Sequence, residues 1–123
     1  MFNRNTEKLE SLIGANSVFK GDINTKGTLR IDGTMEGNVT ADWLIIGEKA
    51  SLKGDITARG IVVGGRIEGS LMAKEIVEIK SKGQVYGDVH TGKLTIIEGG
   101  IFDGRSAMTK EESKIVEFQT KSG

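Results

Sequence analysis

One short phrase limits what this chain can fold into. It consists of a small residue, any residue, a large apolar residue, any residue and a glycine. It occurs six times, as Ser17-Val-Phe-Lys-Gly21, Gly33-Thr-Met-Glu-Gly37, Ala50-Ser-Leu-Lys-Gly54, Gly65-Arg-Ile-Glu-Gly69, Gly83-Gln-Val-Tyr-Gly87 and Gly100-Ile-Phe-Asp-Gly104. The closing glycines lie 16, 17, 15, 18 and 17 residues apart. A second apolar segment lies between phrases, as in Leu29-Arg-Ile31 or Ile61-Val-Val63. Short β-branched runs punctuated by glycine and polar residues read as strands joined by corners. A unit of about 17 residues is too short for a strand with a crossover helix and for a four-stranded propeller blade. It suits one coil of a parallel β-solenoid, where each coil buries its inward side chains on the coils above and below. Glycine is abundant, at 18 residues, and proline is absent, so corners are plentiful and nothing interrupts the strands' hydrogen bonding. The expected fold is all-β, a single solenoid of about six coils over residues 17–107, with flexible tails at 1–16 and 108–123.

Stacked coils place equivalent residues about 4.8 Å apart, so each position of the phrase becomes a column. The position two before the closing glycine is wholly apolar and reads as core: Phe19, Met35, Leu52, Ile67, Val85, Phe102. The position before the glycine begins Lys20, Glu36, Lys53, Glu68, alternating in sign as a surface ladder should. The position after it runs Asp22, Asn38, Asp55, Ser70, Asp88, Arg105, with no two acids in adjacent coils.

The ends differ from the middle. The core column carries its aromatics at its two ends, Phe19 and Phe102, and the position beside it is apolar only there, at Val18 and Ile101. An open solenoid end exposes both apolar surface and unpaired backbone groups. Two arrangements remove that cost. The end of one molecule can stack on the end of another, which makes Val18, Phe19, Ile101 and Phe102 a polymer contact. Alternatively the tails fold back as caps through Leu9, Leu12 and Ile13, or through Ile115, Val116 and Phe118. The residues alone leave both open.

The six coils and the closing stretch Gly-Gly-Ile-Phe-Asp-Gly-Arg-Ser-Ala-Met at 99–108 resemble the bactofilins, small bacterial cytoskeletal proteins, and the resemblance covers residues 17–108. It implies a right-handed parallel β-helix that polymerises end to end into non-polar filaments without a nucleotide. It implies a scaffold for cell shape, or for placing partners such as cell-wall proteins, at the inner face of the cell membrane. Phe102 matches the aromatic of the family's polymer contact, and Val18 and Phe19 match less distinctly. Met1 and Phe2 look like the family's membrane-contact motif. At helical spacing Phe2, Leu9, Leu12 and Ile13 fall on one side, which allows a small amphipathic helix. The charges of Arg4, Glu7, Lys8 and Glu10 cancel, so anionic lipid adds little attraction.

Composition argues against several other classes. Lys+Arg and Asp+Glu are equal at 17 each, which gives no electrostatic pull toward nucleic acid. Without cysteine there is no disulfide framework and no thiolate zinc site. Gly87-Asp-Val-His-Thr-Gly92-Lys93 imitates a phosphate-binding loop, but Leu94 stands where Ser or Thr would hold magnesium and the following run reads as a strand, so it is a corner. His90 is the only histidine and sits in a column with Asn24, Thr40, Thr57 and Met72, with no evident acid partner. Asp22, Asp55 and Asp88 share a column but lie two coils, roughly 10 Å, apart. They read as turn residues. Trp43 reads as packing or as a partner contact. No catalytic residue, cofactor or metal is therefore expected, and the chain is not read as an enzyme. Two other classes remain for comparison: a monomeric β-solenoid adaptor, and a hexapeptide-type acyltransferase, whose strict six-residue register the 15–18 spacing does not keep.

Overall fold

The structure, a computed structural model, describes residues 9–108 and 114–117. Its fourteen strands form one sheet that closes on itself coil by coil, giving a solenoid of three faces. The first face is built by β2 (Val18–Lys20), β5 (Thr34–Glu36), β8 (Ser51–Lys53) and the opening segments of β10 (Arg66–Ile79), β11 (Gln84–Thr91) and β13 (Ile101–Met108). The second is built by β3 (Ile23–Asn24), β6 (Val39–Thr40), the start of β9 (Ile56–Val63) and later segments of β10, β11 and β13. The third holds β1 (Leu9–Ile13), β4 (Thr28–Ile31), β7 (Trp43–Ile46), the ends of β9 and β10, β12 (Lys93–Ile96) and β14 (Lys114–Glu117). All of these pairings are parallel.

The columns follow the register. Phe19 pairs with Met35, Met35 with Leu52, Leu52 with Ile67, Ile67 with Val85 and Val85 with Phe102. The inner four of these residues are at most 1% exposed. Val39, Ile56, Leu71 and Val89 fill the core from the second face, and Leu29, Leu44, Ile61, Val77 and Leu94 fill it from the third. Each fully buried aliphatic of this kind contributes about 1.5–3 kcal/mol, which suits a fold whose coils are stable only as a stack.

Corner length accounts for the uneven repeat. Between the second and third faces the chain uses three residues at Thr25–Gly27 and Ala73–Glu75, but two at 41–42, 58–59 and 91–92. Between the third and first faces it uses either two residues, at 32–33 and 64–65, or four, at 47–50, 80–83 and 97–100. The four-residue corners close with a backbone turn in which Ala50 N–H donates to Gly47 C=O at 3.0 Å and Gly83 N–H to Lys80 C=O at 2.8 Å. The corner after each phrase needs its glycine. At Gly54, for example, φ is 147°, and a Cβ would run into the carbonyl oxygen of Gly37 in the coil before.

Two expectations need correction. Five complete coils run from Val18 to Ile96, rather than six. The sixth phrase opens a coil that β13 takes around two faces, and only β14 supplies its third. The boundaries expected at residues 17 and 107 also fall inside the solenoid. Leu9–Ile13 pairs with β4, and Lys114–Glu117 pairs with β12. Residues 9–13 are thus a strand and not part of an amphipathic helix, because β4 offers them an open edge. Ser17 N–H donates to Gly14 C=O at 3.0 Å, closing the same four-residue corner used between later coils.

Candidate functional site

The two ends of the stack gather the features that the middle lacks. Among the described residues β2 pairs only with β5, β3 only with β6, and β13 only with β11. Their outer backbone groups therefore face away from the stack. On the third face β1 pairs only with β4 and β14 only with β12 among the described residues, so these are the edge strands there, and Ile13 packs against the core. The segments holding Leu9, Leu12, Ile13, Ile115 and Val116, expected to fold back as caps, instead continue the stack by backbone pairing on the third face, and each leaves an outer edge of its own among the described residues. Phe118 lies outside the described residues.

The four residues expected at a polymer contact divide into two kinds. Phe19 and Phe102 point inward and are half-buried, packed against the core. The Phe19 ring lies near its own corner, where a Cβ on Gly21 would sit 3.7 Å from it. Val18 and Ile101 point outward on the first face and are 69% and 45% exposed. Both terminal coils therefore join a wide core aromatic to an exposed aliphatic beside a free strand edge. Met1 and Phe2, expected to touch a membrane, lie outside the described residues.

The polar columns brace the stack. The Asp22 carboxylate accepts from Asn38 N–H at 2.9 Å, the Asn38 side-chain oxygen from Asp55 N–H at 3.2 Å, and the Asp55 carboxylate from Ser70 N–H at 3.3 Å. Asp22 and Asp55, expected to be turn residues, thus also cap the backbone of the next coil, a role signalled by the uninterrupted Asp, Asn, Asp run of that column. Of the alternating surface ladder only Lys20–Glu36 forms an ion pair, at 3.8 Å. Glu68 instead takes Arg66 at 2.8 Å, whose hydrogen bond lowers the carboxyl's pKa, and the Arg66 guanidinium stacks 4.6 Å from the centre of the Tyr86 ring. Arg59 bridges coils, donating to Glu75 at 3.0 Å and to Asp42 at 3.3 Å.

No described group is arranged for catalysis. His90 is exposed at one side of a shallow groove of about 510 Å³ whose other lining residues include Thr40, Thr57, Met72 and Lys74. Among the described residues no cluster of three His, Cys, Asp or Glu side chains is placed to hold a metal. Gly87 lies within β11, Gly92 is a corner, and Lys93 begins β12, so no helix follows to hold a phosphate. Thr91 is fully buried, and its hydroxyl donates to Lys93 C=O at 3.2 Å. Trp43 lies across Gly60 in the next coil, in the space a side chain there would take. No described helix is long and apolar enough to cross a membrane.

Comparison with known proteins agrees with the geometry. The sequence matches the bactofilin family, described as polymer-forming cytoskeletal, over residues 11–107. Bactofilin BacO of Myxococcus xanthus (strain DK1622) is 28% identical over 110 residues, which cover 89% of this chain and 87% of BacO. Bactofilin BacP of the same organism is 26% identical over 99 residues, which cover 80% of this chain but 41% of BacP. The fold resembles that in a cryo-EM reconstruction of Thermus thermophilus bactofilin double helical filaments, with a TM-score of 0.69 and 23% identity, covering 81% of this chain and 100% of that one.

Proposed function

The chain belongs to the bactofilin family of polymer-forming cytoskeletal proteins, and on that premise we propose that it assembles end to end, without a nucleotide, into filaments that scaffold other proteins. The observation that carries this reading is the coincidence, at both ends, of strand edges unpaired among the described residues with the residues Val18, Phe19, Ile101 and Phe102. Stacking one terminal coil on another pairs the exposed backbone and removes an aromatic and an aliphatic side chain from water. Each such contact contributes on the order of a few kcal/mol. Nothing in this step needs a bound cofactor or the free energy of hydrolysis. Filaments in which like ends meet are non-polar, and Met1-Phe2 tethers them to the inner face of the cell membrane. Placing cell-wall or other partner proteins along such a tethered filament is the task that follows.

Negative-stain electron microscopy of the untagged protein, with no nucleotide added, tests the assembly. Long thin filaments are expected from the native chain. Phe102→Arg puts an unpaired charge into a desolvated contact, which costs several kcal/mol. It is expected to leave monomers or short species with an unchanged circular dichroism spectrum. Filaments of native length from that variant would remove Phe102 from the contact.

A further inference from the structure

The outward side of the third face carries an apolar patch that the end contacts do not use. Along β4, β7, β9 and β10, one outward column is Thr28, Trp43, Gly60, Ile76, and the next is Arg30, Ile45, Val62, Glu78. The alternate residues of these strands face the core. Trp43, Ile45, Val62 and Ile76 are half-buried and contiguous over three coils. The corresponding outward positions at mid-height on the first face are polar, at Thr34, Ser51 and Gln84. An ion pair lies at each end of this patch. Arg30 meets Asp32 at 2.8 Å in the first coil, and Lys80 meets Glu78 at 3.3 Å in the fourth. The two pairs are of opposite sense: in the first coil the cation is on the strand and the acid at the corner, and in the fourth the reverse.

We propose that this face binds the same face of a second copy of the chain, about a two-fold axis that runs along the strands between the second and third full coils. That axis lays the first coil of one copy over the fourth of the other. Arg30 then faces Glu78 of the second copy, Asp32 faces Lys80, and Ile45 faces Val62. Trp43 faces Gly60 of the second copy, over which that copy's own indole lies, so the two indoles meet beside the axis. A two-fold interface must be self-complementary. Here every charge meets its opposite and every large apolar residue but Ile76, which faces Thr28, meets another apolar side chain. Strands of four residues over four coils cover only about 13 by 19 Å, well below the ~800 Å² per partner of a stable dimer. One contact is therefore weak alone and gains strength by repetition along a polymer. It joins filaments side by side and does not depend on the end contacts for its geometry.

The chain has no cysteine, so thiols can be placed singly. Arg30→Cys and Glu78→Cys are made as separate variants, each with Phe102→Arg to suppress end-to-end growth. They are treated with a bismaleimide that spans the ~10 Å between packed sheets. The mixture is expected to give cross-linked dimer about tenfold faster than either variant alone. Only the mixture sets a thiol at position 30 against a thiol at position 78, and it keeps one Arg30–Glu78 pair. Adding Val62→Glu to both puts an acid at the centre of the contact and is expected to abolish the dimer while leaving the circular dichroism spectrum unchanged. Equal yields from the mixture and the separate variants would overturn the proposal, as would a dimer indifferent to Val62→Glu. If the patch serves another protein or a lipid surface, the mixture stays uncross-linked. Cross-linked dimer from a chain whose native form makes no filaments would refute the end-to-end reading and leave this one standing. Native filaments without cross-linking would do the opposite.

Discussion

At the scale of single residues the core column from Phe19 to Phe102 was legible, because a solenoid repeats one chemical demand at one position. The corner glycines were legible as punctuation, but their cause was not. It is the close stacking of each corner on the carbonyl of the corner before it. That distinction separates Gly54 from Gly21, since both have positive φ but only Gly54 has a coil beneath it among the described residues. Gly54→Ala combines backbone strain with a collision against Gly37 and is expected to cost about 3 kcal/mol or more. Gly21→Ala carries the strain alone, about 1 kcal/mol. The difference between their urea midpoints measures the stacking term, and equal midpoints would refute it. The Arg30–Asp32 pair offers a second check. The hydrogen bond from Arg30 lowers the Asp32 pKa from its ordinary 3.8, so the pair's stabilisation is present above that pH and is lost as pH falls through the lowered value. Both side chains are partly exposed, so the effect is small. Asp32→Asn is expected to flatten the acid side of the stability curve slightly and to lower its plateau near neutrality.

At the scale of elements the sequence marks a coil by its phrase alone, and the phrases run only from Ser17 to Gly104. β1 and β14 contribute to one face and carry no phrase, so their apolar residues read as tails. The corner Gly14–Ser17 was the available signal, since Ile13-Gly14 followed by Ser17 repeats the form of Ile46-Gly47 followed by Ala50. The strand at Leu9–Ile13 changes what a truncation tests. Removing residues 1–8 leaves β1 in place and is expected to leave the urea midpoint unchanged. It should still abolish co-sedimentation with liposomes if Met1 and Phe2 are the tether. Removing 1–13 also deletes the strand over β4 and the packing of Ile13, and is expected to cost about 2 kcal/mol. Liposome binding that survives loss of 1–8 would move the tether elsewhere.

At the scale of the whole molecule, a chain with 17 basic and 17 acidic residues has no net field to hold copies apart or pull them together, so association depends on where its contacts lie. Its two proposed contacts differ in kind, a difference the columns could not reveal because they order residues along the stack and leave the faces unassigned. The end contact is proposed on Phe19 or Phe102 and on strand edges. The face contact takes its register from Arg30 with Glu78 and Asp32 with Lys80. Each exposed pair is worth at most about 1 kcal/mol, but a filament repeats it at every subunit, so a small loss per contact separates long filaments sharply. Raising sodium chloride from about 50 mM to about 1 M shortens the screening length to ~3 Å. Filament length seen by electron microscopy is expected to hold while paired filaments resolve into single ones. The fluorescence of Trp43, the chain's one tryptophan, is expected to shift to the red as the face returns to water. Filaments that shorten in step with unpairing would show that charge, and not Phe19 and Phe102, holds the ends. Pairs that persist at high salt would show that the face contact does not take its register from these ion pairs.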